Sequence, residues 1–169
     1  MDSARRRLPL IDAKVLARSA AIEQAHPFWP CAKGCDLCCR SLPHQPMISA
    51  AEWERLAVAL GELSPATQRA VRARILESAA GPVICPLLDR EHGACLVYDA
   101  RPVACRSYGF YAERDAGLHC DIVTEAVRAE QAEVVWGNGE SLAAELDALG
   151  ERRTLAAWLA HGAGDAEQR

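Results

Sequence analysis

The sequence predicts a small, mainly helical single domain, and three observations carry that prediction. Alanine and leucine, 32 and 18 of the 169 residues, favour helices that pack through small side chains. Aromatic residues make up only 5%, too little of the material that fills sandwiches and barrels. Half the residues are hydrophobic, enough for a chain of this length to bury a core without outside help. With 19 basic and 23 acidic side chains the net charge is −4, which argues against a protein built to neutralise many phosphates, so no nucleic-acid partner is expected. No stretch approaches the roughly 18 to 20 apolar residues of a membrane span, and the opening MDSARRRLPLIDAK has charge without the long apolar run of a signal peptide. A soluble, cytoplasmic chain without membrane contact is the expectation.

Ile11, Val15 and Ile22 lie at helical spacing within residues 10–25, and Pro27 and Pro30 prevent continuation. The run Arg5–Arg7 reads as a solvated terminus. Ser49 followed by Glu52 has capping-box spacing and leads into Trp53, Leu56 and Leu60, with Gly61 near the stop. Ser64 then Pro65 reads as N-cap and first helical position of another helix that carries Val71 and Ile75 and ends at Gly81-Pro82. VICPLL and ACLVY, separated by DREHG, read as a small β-hairpin. A short helix is expected from Asp99 to Tyr108, opened by Arg101-Pro102, and a longer one from Asp121 to Trp136, broken by Gly137-Asn138-Gly139. One or two amphipathic segments follow to about His161, and the tail after Gly162 is expected to fray. No linker separates domains, so residues 1–169 read as one domain, with 31–120 its cysteine-bearing region and 121–162 its C-terminal helices.

Eight cysteines lie between Cys31 and Cys120, with none in the first 30 or last 49 residues. Without an export signal, reduced thiols are favoured over disulfides. Cys31, Cys35, Cys38 and Cys39 form C-x3-C-x2-C-C on a glycine-containing segment, a spacing that matches neither strand nor helix core periodicity. Thiolates are soft ligands, and a tight loop wraps several of them around one centre. Cys85, Cys95 and Cys105 follow at intervals of ten, and Cys120 precedes a helix. For Cys120 a plain buried, apolar role is an equal alternative. Adjacent side chains diverge in a strand and point about 100° apart around a helix, so Cys38 and Cys39 are expected to serve different centres, or one of them a non-ligand role. Zinc and a cubane iron–sulfur cluster each take four thiolates, so sequence leaves both open. Either site favours nearby cations, and Arg40, Arg101 and Arg106 are in or near the cysteine segments, where ordinary salt bridging is their simpler role.

The run Cys31 to Cys39, the Cys-Pro at Cys85, Gly93-x-Cys95-x-x-Tyr98 and RPVACRSYGF from Arg101 to Phe110 resemble the YkgJ-like cysteine-cluster family, also called CxxCxxCC, of zinc- or iron-chelating domains. The resemblance covers roughly residues 31 to 120. It implies metal chelation by Cys31, Cys35, Cys38, Cys39, Cys85, Cys95 and Cys105, with Cys120 a weaker carry-over. A related domain occurs in flagellin lysine methylases, but this chain has no room for that further machinery, so methylation does not transfer. The spacing Cys31-x3-Cys35-x2-Cys38 also matches radical S-adenosylmethionine enzymes; those need strands and length that this helical sequence does not offer.

His119, beside Cys120, is the best histidine candidate; His26, His44, His92 and His161 read as surface or satisfied residues, and Trp29 and Trp136 as core or site cover. No Walker loop, dinucleotide fingerprint or nucleophile elbow is present. The sequence therefore predicts a metal-binding protein that holds zinc or an iron–sulfur cluster. It serves either as a structural adaptor with a protein partner or as a redox or accessory enzyme component, and no residue is assigned a catalytic role.

Overall fold

The computed structural model describes residues 2–78, 81–114 and 120–166. In chain order these form α1 (Asp2–Ala25), α2 (Leu37–Arg40), β1 (Ile48–Ser49), α3 (Ala50–Gly61), α4 (Pro65–Glu77), β2 (Leu88–Asp89), β3 (Ala94–Cys95), a 3-10 turn (Tyr98–Ala100), α5 (Val103–Ser107), β4 (Tyr111–Ala112), α6 (Asp121–Ala129), β5 (Gly137–Asn138), α7 (Gly139–Asp147), β6 (Arg152–Arg153) and α8 (Leu155–Ala166). The protein is mainly helical, with strands only in two-residue pairs. The residues group into two compact units, one from segments 1–35 and 103–149, the other from 36–102 and 150–169.

In the first unit, α1 buries Leu8, Ile11, Val15 and Ile22, a stripe at helical spacing, and packs on α5. Arg106 of α5 faces Asp12 of α1 at 3.7 Å, both side chains mostly buried. The second core of this unit gathers Ile22, Trp29, Phe110, Cys120 and Val123. Trp29 stacks on Phe110 with ring centroids 5.8 Å apart and meets Trp136 at 5.5 Å, so both tryptophans are core residues. β4 pairs in parallel with β5, Tyr111 opposite Gly137. A Cβ on Gly137 would sit 2.5 Å from the Tyr111 ring, so only glycine lets that ring lie against the strand. Asn138 then caps α7, its side chain accepting from the Ser141 amide at 2.7 Å.

The second unit is built on α3, α4 and α8 around Ile48, Leu56, Val71, Ile75, Leu87, Leu88 and Leu155. Ser49 and Glu52 form the expected capping box, and Ser64 caps α4 with Pro65 at its start. β1 pairs antiparallel with β6, and β2 with β3 as the expected hairpin, Leu88 opposite Cys95. Gln45 is buried at 1% exposure yet satisfied: its Nε2 donates to the carbonyls of Ile75 at 2.6 Å and Ser78 at 2.9 Å, and its Oε1 accepts from Ala156 N at 2.9 Å. The end of α4 is thereby tied to the start of α8.

Four boundaries differ from the sequence reading. Helix α1 begins at Asp2 rather than near residue 10 and continues through Pro9; Leu8 and Ile11, buried on the same face, hold that turn despite the missing amide donor. The expected helix from Asp99 to Tyr108 is split, because Pro102 carries no amide hydrogen and the residue before it is disfavoured in helical geometry; Arg101 takes φ −51, ψ 142 instead. Helix α6 ends at Ala129 instead of Trp136. Gln131 adopts φ 50 there, and the amides of Gln131 and Ala132 bond back to Arg128 O and Val127 O, a Schellman closure without its usual glycine. Beyond Gly162, expected to fray, helix α8 continues to Ala166.

Candidate metal centre

None of the eight cysteines is in a disulfide, and they divide evenly between the two units: Cys31, Cys35, Cys105 and Cys120 in the first, Cys38, Cys39, Cys85 and Cys95 in the second. Local geometry explains how the second set meets. Cys38 and Cys39 sit on α2, one helical turn whose segment runs beside the Val83–Cys85 strand of chain. Leu42 and Val83 exchange backbone hydrogen bonds, at 3.0 and 2.8 Å, and Cys85 N donates to Cys39 O at 2.7 Å. This short ladder sets Cys85 against Cys39. Cys95 arrives on β3 of the hairpin, whose partner strand begins three residues after Cys85. Cys85 is buried in the hydrophobic core of the unit, with Cys39 and Cys95 packed against it.

The electrostatics reflect that closeness. The Cys38 and Cys39 thiols influence each other's ionisation, Cys85 and Cys95 act on Cys39, and Cys38 acts on Cys95. The neighbouring Cys39, then burial, pushes the Cys38 thiol far above its ordinary range. At Cys39 the Cys38 thiol lowers the pKa, but Cys85 and burial outweigh it, and the thiol is pushed up to about 12. Burial raises Cys95, opposed in part by the Arg101 charge. Arg101 is held by its Nε donating to Tyr98 O at 3.1 Å and by its guanidinium lying 3.6 Å over the Tyr98 ring. Cys38 and Cys39, expected to serve different centres or to include one non-ligand thiol, both sit on α2, where each influences the other's ionisation.

These shifts carry a pH consequence for the metal-free protein. Folded-state thiol pKa values lie above the unfolded range of about 8.5–9, so the unfolded chain ionises first as pH rises. Their contribution to stability is complete below about pH 8.5 and is lost as pH climbs toward 12. Denaturant midpoints of chelator-treated protein are expected to be level between pH 7 and 8 and to fall above about pH 9; a rise over that interval contradicts the thiol cluster.

In the first unit, Cys31 and Cys120 belong to one apolar cluster, and the Cys31 thiol donates to Tyr108 O at 3.6 Å. A Cβ on Gly109, itself at φ 84, would meet Cys31 Sγ at 3.3 Å. Gly109 therefore both makes the turn after α5 and leaves room for this sulfur, a role the sequence reading missed; the glycine inside SYGF, straight after a short helix, was its only signal. Cys105 lies on α5, Cys120 is the N-cap of α6, and the Cys35 amide closes a turn onto Ala32 O at 3.0 Å.

Among the described residues, no three His, Cys, Asp or Glu side chains stand in the arrangement of ligands around one ion. In the second unit the thiols of Cys38, Cys85 and Cys95 all influence the ionisation of Cys39. The donor chemistry fits a soft cation: a thiol that loses its proton becomes a thiolate ligand. The histidines are occupied elsewhere or unplaced. His92 Nδ1 pairs with Asp89 Oδ2 at 2.8 Å, His44 Nδ1 meets Gln45 O at 2.7 Å, and His26 and His161 pack against tryptophan rings. His119 lies outside the described residues. Arg40 pairs with Asp36 one turn away and Arg106 with Asp12, the salt-bridging roles anticipated for them.

No helix among the described residues is long and apolar enough to cross a membrane. Residues 30–133 match a family model, CxxCxxCC, described as "Putative zinc- or iron-chelating domain". No curated protein and no solved structure matches the chain.

Proposed function

Because this chain belongs to the CxxCxxCC family of zinc- or iron-chelating domains, we propose that it is a metal-binding protein with two four-thiolate sites, one in each unit, whose metal is structural zinc. Cys38, Cys39, Cys85 and Cys95 hold one ion; Cys31, Cys35, Cys105 and Cys120 hold the other. The observation that carries the reading is the backbone bond from Cys85 N to Cys39 O at 2.7 Å, which brings these two cysteines to the same core that Cys95 packs against. Four protein thiolates close the coordination shell, as structural rather than catalytic sites do. Bound metal supplies cross-links between chain segments that otherwise meet through short hydrogen-bond ladders. Arg101, held on Tyr98, offsets part of the roughly −2 charge of zinc with four thiolates.

The test is anaerobic purification followed by metal analysis and visible absorption. Two equivalents of zinc per chain and no visible colour are expected. A brown protein with iron and acid-labile sulfide overturns the zinc reading, and a metal-free protein that stays so when zinc is added overturns chelation by these thiols.

A further inference from the structure

A cleft between α3, α4 and α8 of the second unit has a volume of about 390 Å3 and is floored by Trp53, Leu60, Val71, Ile75 and Leu159. That volume falls within the range of about 300–1,000 Å3 filled by small-molecule sites. Val71 and Ile75 are fully buried at its base, so the floor is fixed by the unit's core. The charged side chains that line it are Arg69 and Arg72, exposed and one turn apart on α4; none of the lining residues is acidic. Gln68, also in the lining, is committed to capping the preceding turn, its Nε2 donating to Gly61 O at 3.0 Å and Leu63 O at 2.7 Å. The cleft is therefore an apolar slot with a two-arginine rim.

We propose that this cleft binds an aliphatic carboxylate, an amphipathic anion of the fatty-acid class, with its chain over Trp53 and Leu159 and its headgroup at Arg69 and Arg72. Size and charge select this occupant. At roughly 30 Å3 for each water-sized atom, the space takes about a dozen heavy atoms, a chain of about ten carbons with its headgroup. The arginine fork matches a carboxylate in shape as well as charge, and the chain gains by leaving water for an apolar floor. Because exposed ion pairs are weak, the two arginines together alter affinity by about tenfold rather than create it. This inference does not depend on the metal sites.

The probe is decanoate, titrated below its micellar concentration into the protein as purified and followed by amide NMR shifts, with decan-1-ol as the uncharged control. Saturable shifts confined to α3, α4 and α8 are expected, with decanoate about tenfold tighter than the alcohol. In the Arg69→Ser/Arg72→Ser double variant, decanoate affinity should fall to that of the alcohol while alcohol binding is unchanged. Ala57→Phe, an exposed position on the cleft wall, should abolish both without changing the helical circular dichroism. Absence of saturation, equal affinities of acid and alcohol for the unmodified protein, or shifts centred outside these helices would each overturn the proposal.

Discussion

Removing the metal with a strong thiol-competing chelator is expected to lower the thermal midpoint by more than about 15 °C and to unlock the cysteine-bearing segments of the second unit. Structural zinc contributes about 10–16 kcal/mol of binding free energy, comparable with the whole net stability of about 5–15 kcal/mol for a domain. Even a partial loss of several kcal/mol corresponds to a shift of that size, at about 2–8 °C per kcal/mol. The loss should be local. Helices α3, α4 and α8 are locked by Ile48, Leu56, Ile75 and Leu155, all at 1% exposure or less, and by the Gln45 network. By contrast α2 is a single turn with no side-chain cap, and the hairpin pairs only two residues on each side. Neither persists alone in water. Hydrogen exchange should therefore lose protection at residues 37–42 and 83–97 while the centres of α3 and α4 keep theirs. An unchanged midpoint and unchanged exchange after verified metal loss would contradict a structural role.

Replacement of Cys85 by serine should remove one of two metal equivalents and leave the other. Cys85 is 6% exposed in the core of its unit, and serine supplies neither a soft ligand nor an apolar surface there. Leaving a hydroxyl unsatisfied adds about 1–3 kcal/mol to the loss of the ion. Cys120→Ser, in the other unit, should also remove one equivalent. The combinations separate the sites: Cys85→Ser with Cys39→Ser should lose no more metal than Cys85→Ser alone, whereas Cys85→Ser with Cys120→Ser should lose both equivalents. Metal content measured on all four variants checks this. Two equivalents lost from the Cys39/Cys85 pair, or from either single variant, would show that the thiols are not divided by unit.

Much of the fold could be read from local chemistry. Ser49 with Glu52, and Ser64 with Pro65, named helix starts because a cap is made by residues three positions apart, and sequence records that spacing directly. The hairpin expected within Val83–Tyr98 was legible from local chemistry too, with Gly93 supplying the left-handed turn residue. What failed was non-local. Gln131 takes a left-handed conformation usually left to glycine, and no composition signal marks it. Helix α1 survives Pro9 because packing outweighs one lost hydrogen bond.

The cysteines show the same contrast. Their chelating chemistry was visible in spacing, and the family match bears out metal binding as a general reading. Their division was not visible. Cys35 and Cys38 are three positions apart within one motif, yet the boundary between the units falls between them. The placing of Cys85 beside Cys39 depends on the backbone bond from Cys85 N to Cys39 O, a contact across 46 positions that no local rule predicts.

X-ray absorption at the metal edge of the protein as purified addresses the central proposal most directly. The account predicts a shell of four sulfurs at about 2.3 Å with no metal–metal scattering, reduced by half in amplitude per chain when Cys85 is replaced by serine. A shell dominated by nitrogen and oxygen, or a short iron–iron distance with bridging sulfide, would contradict it.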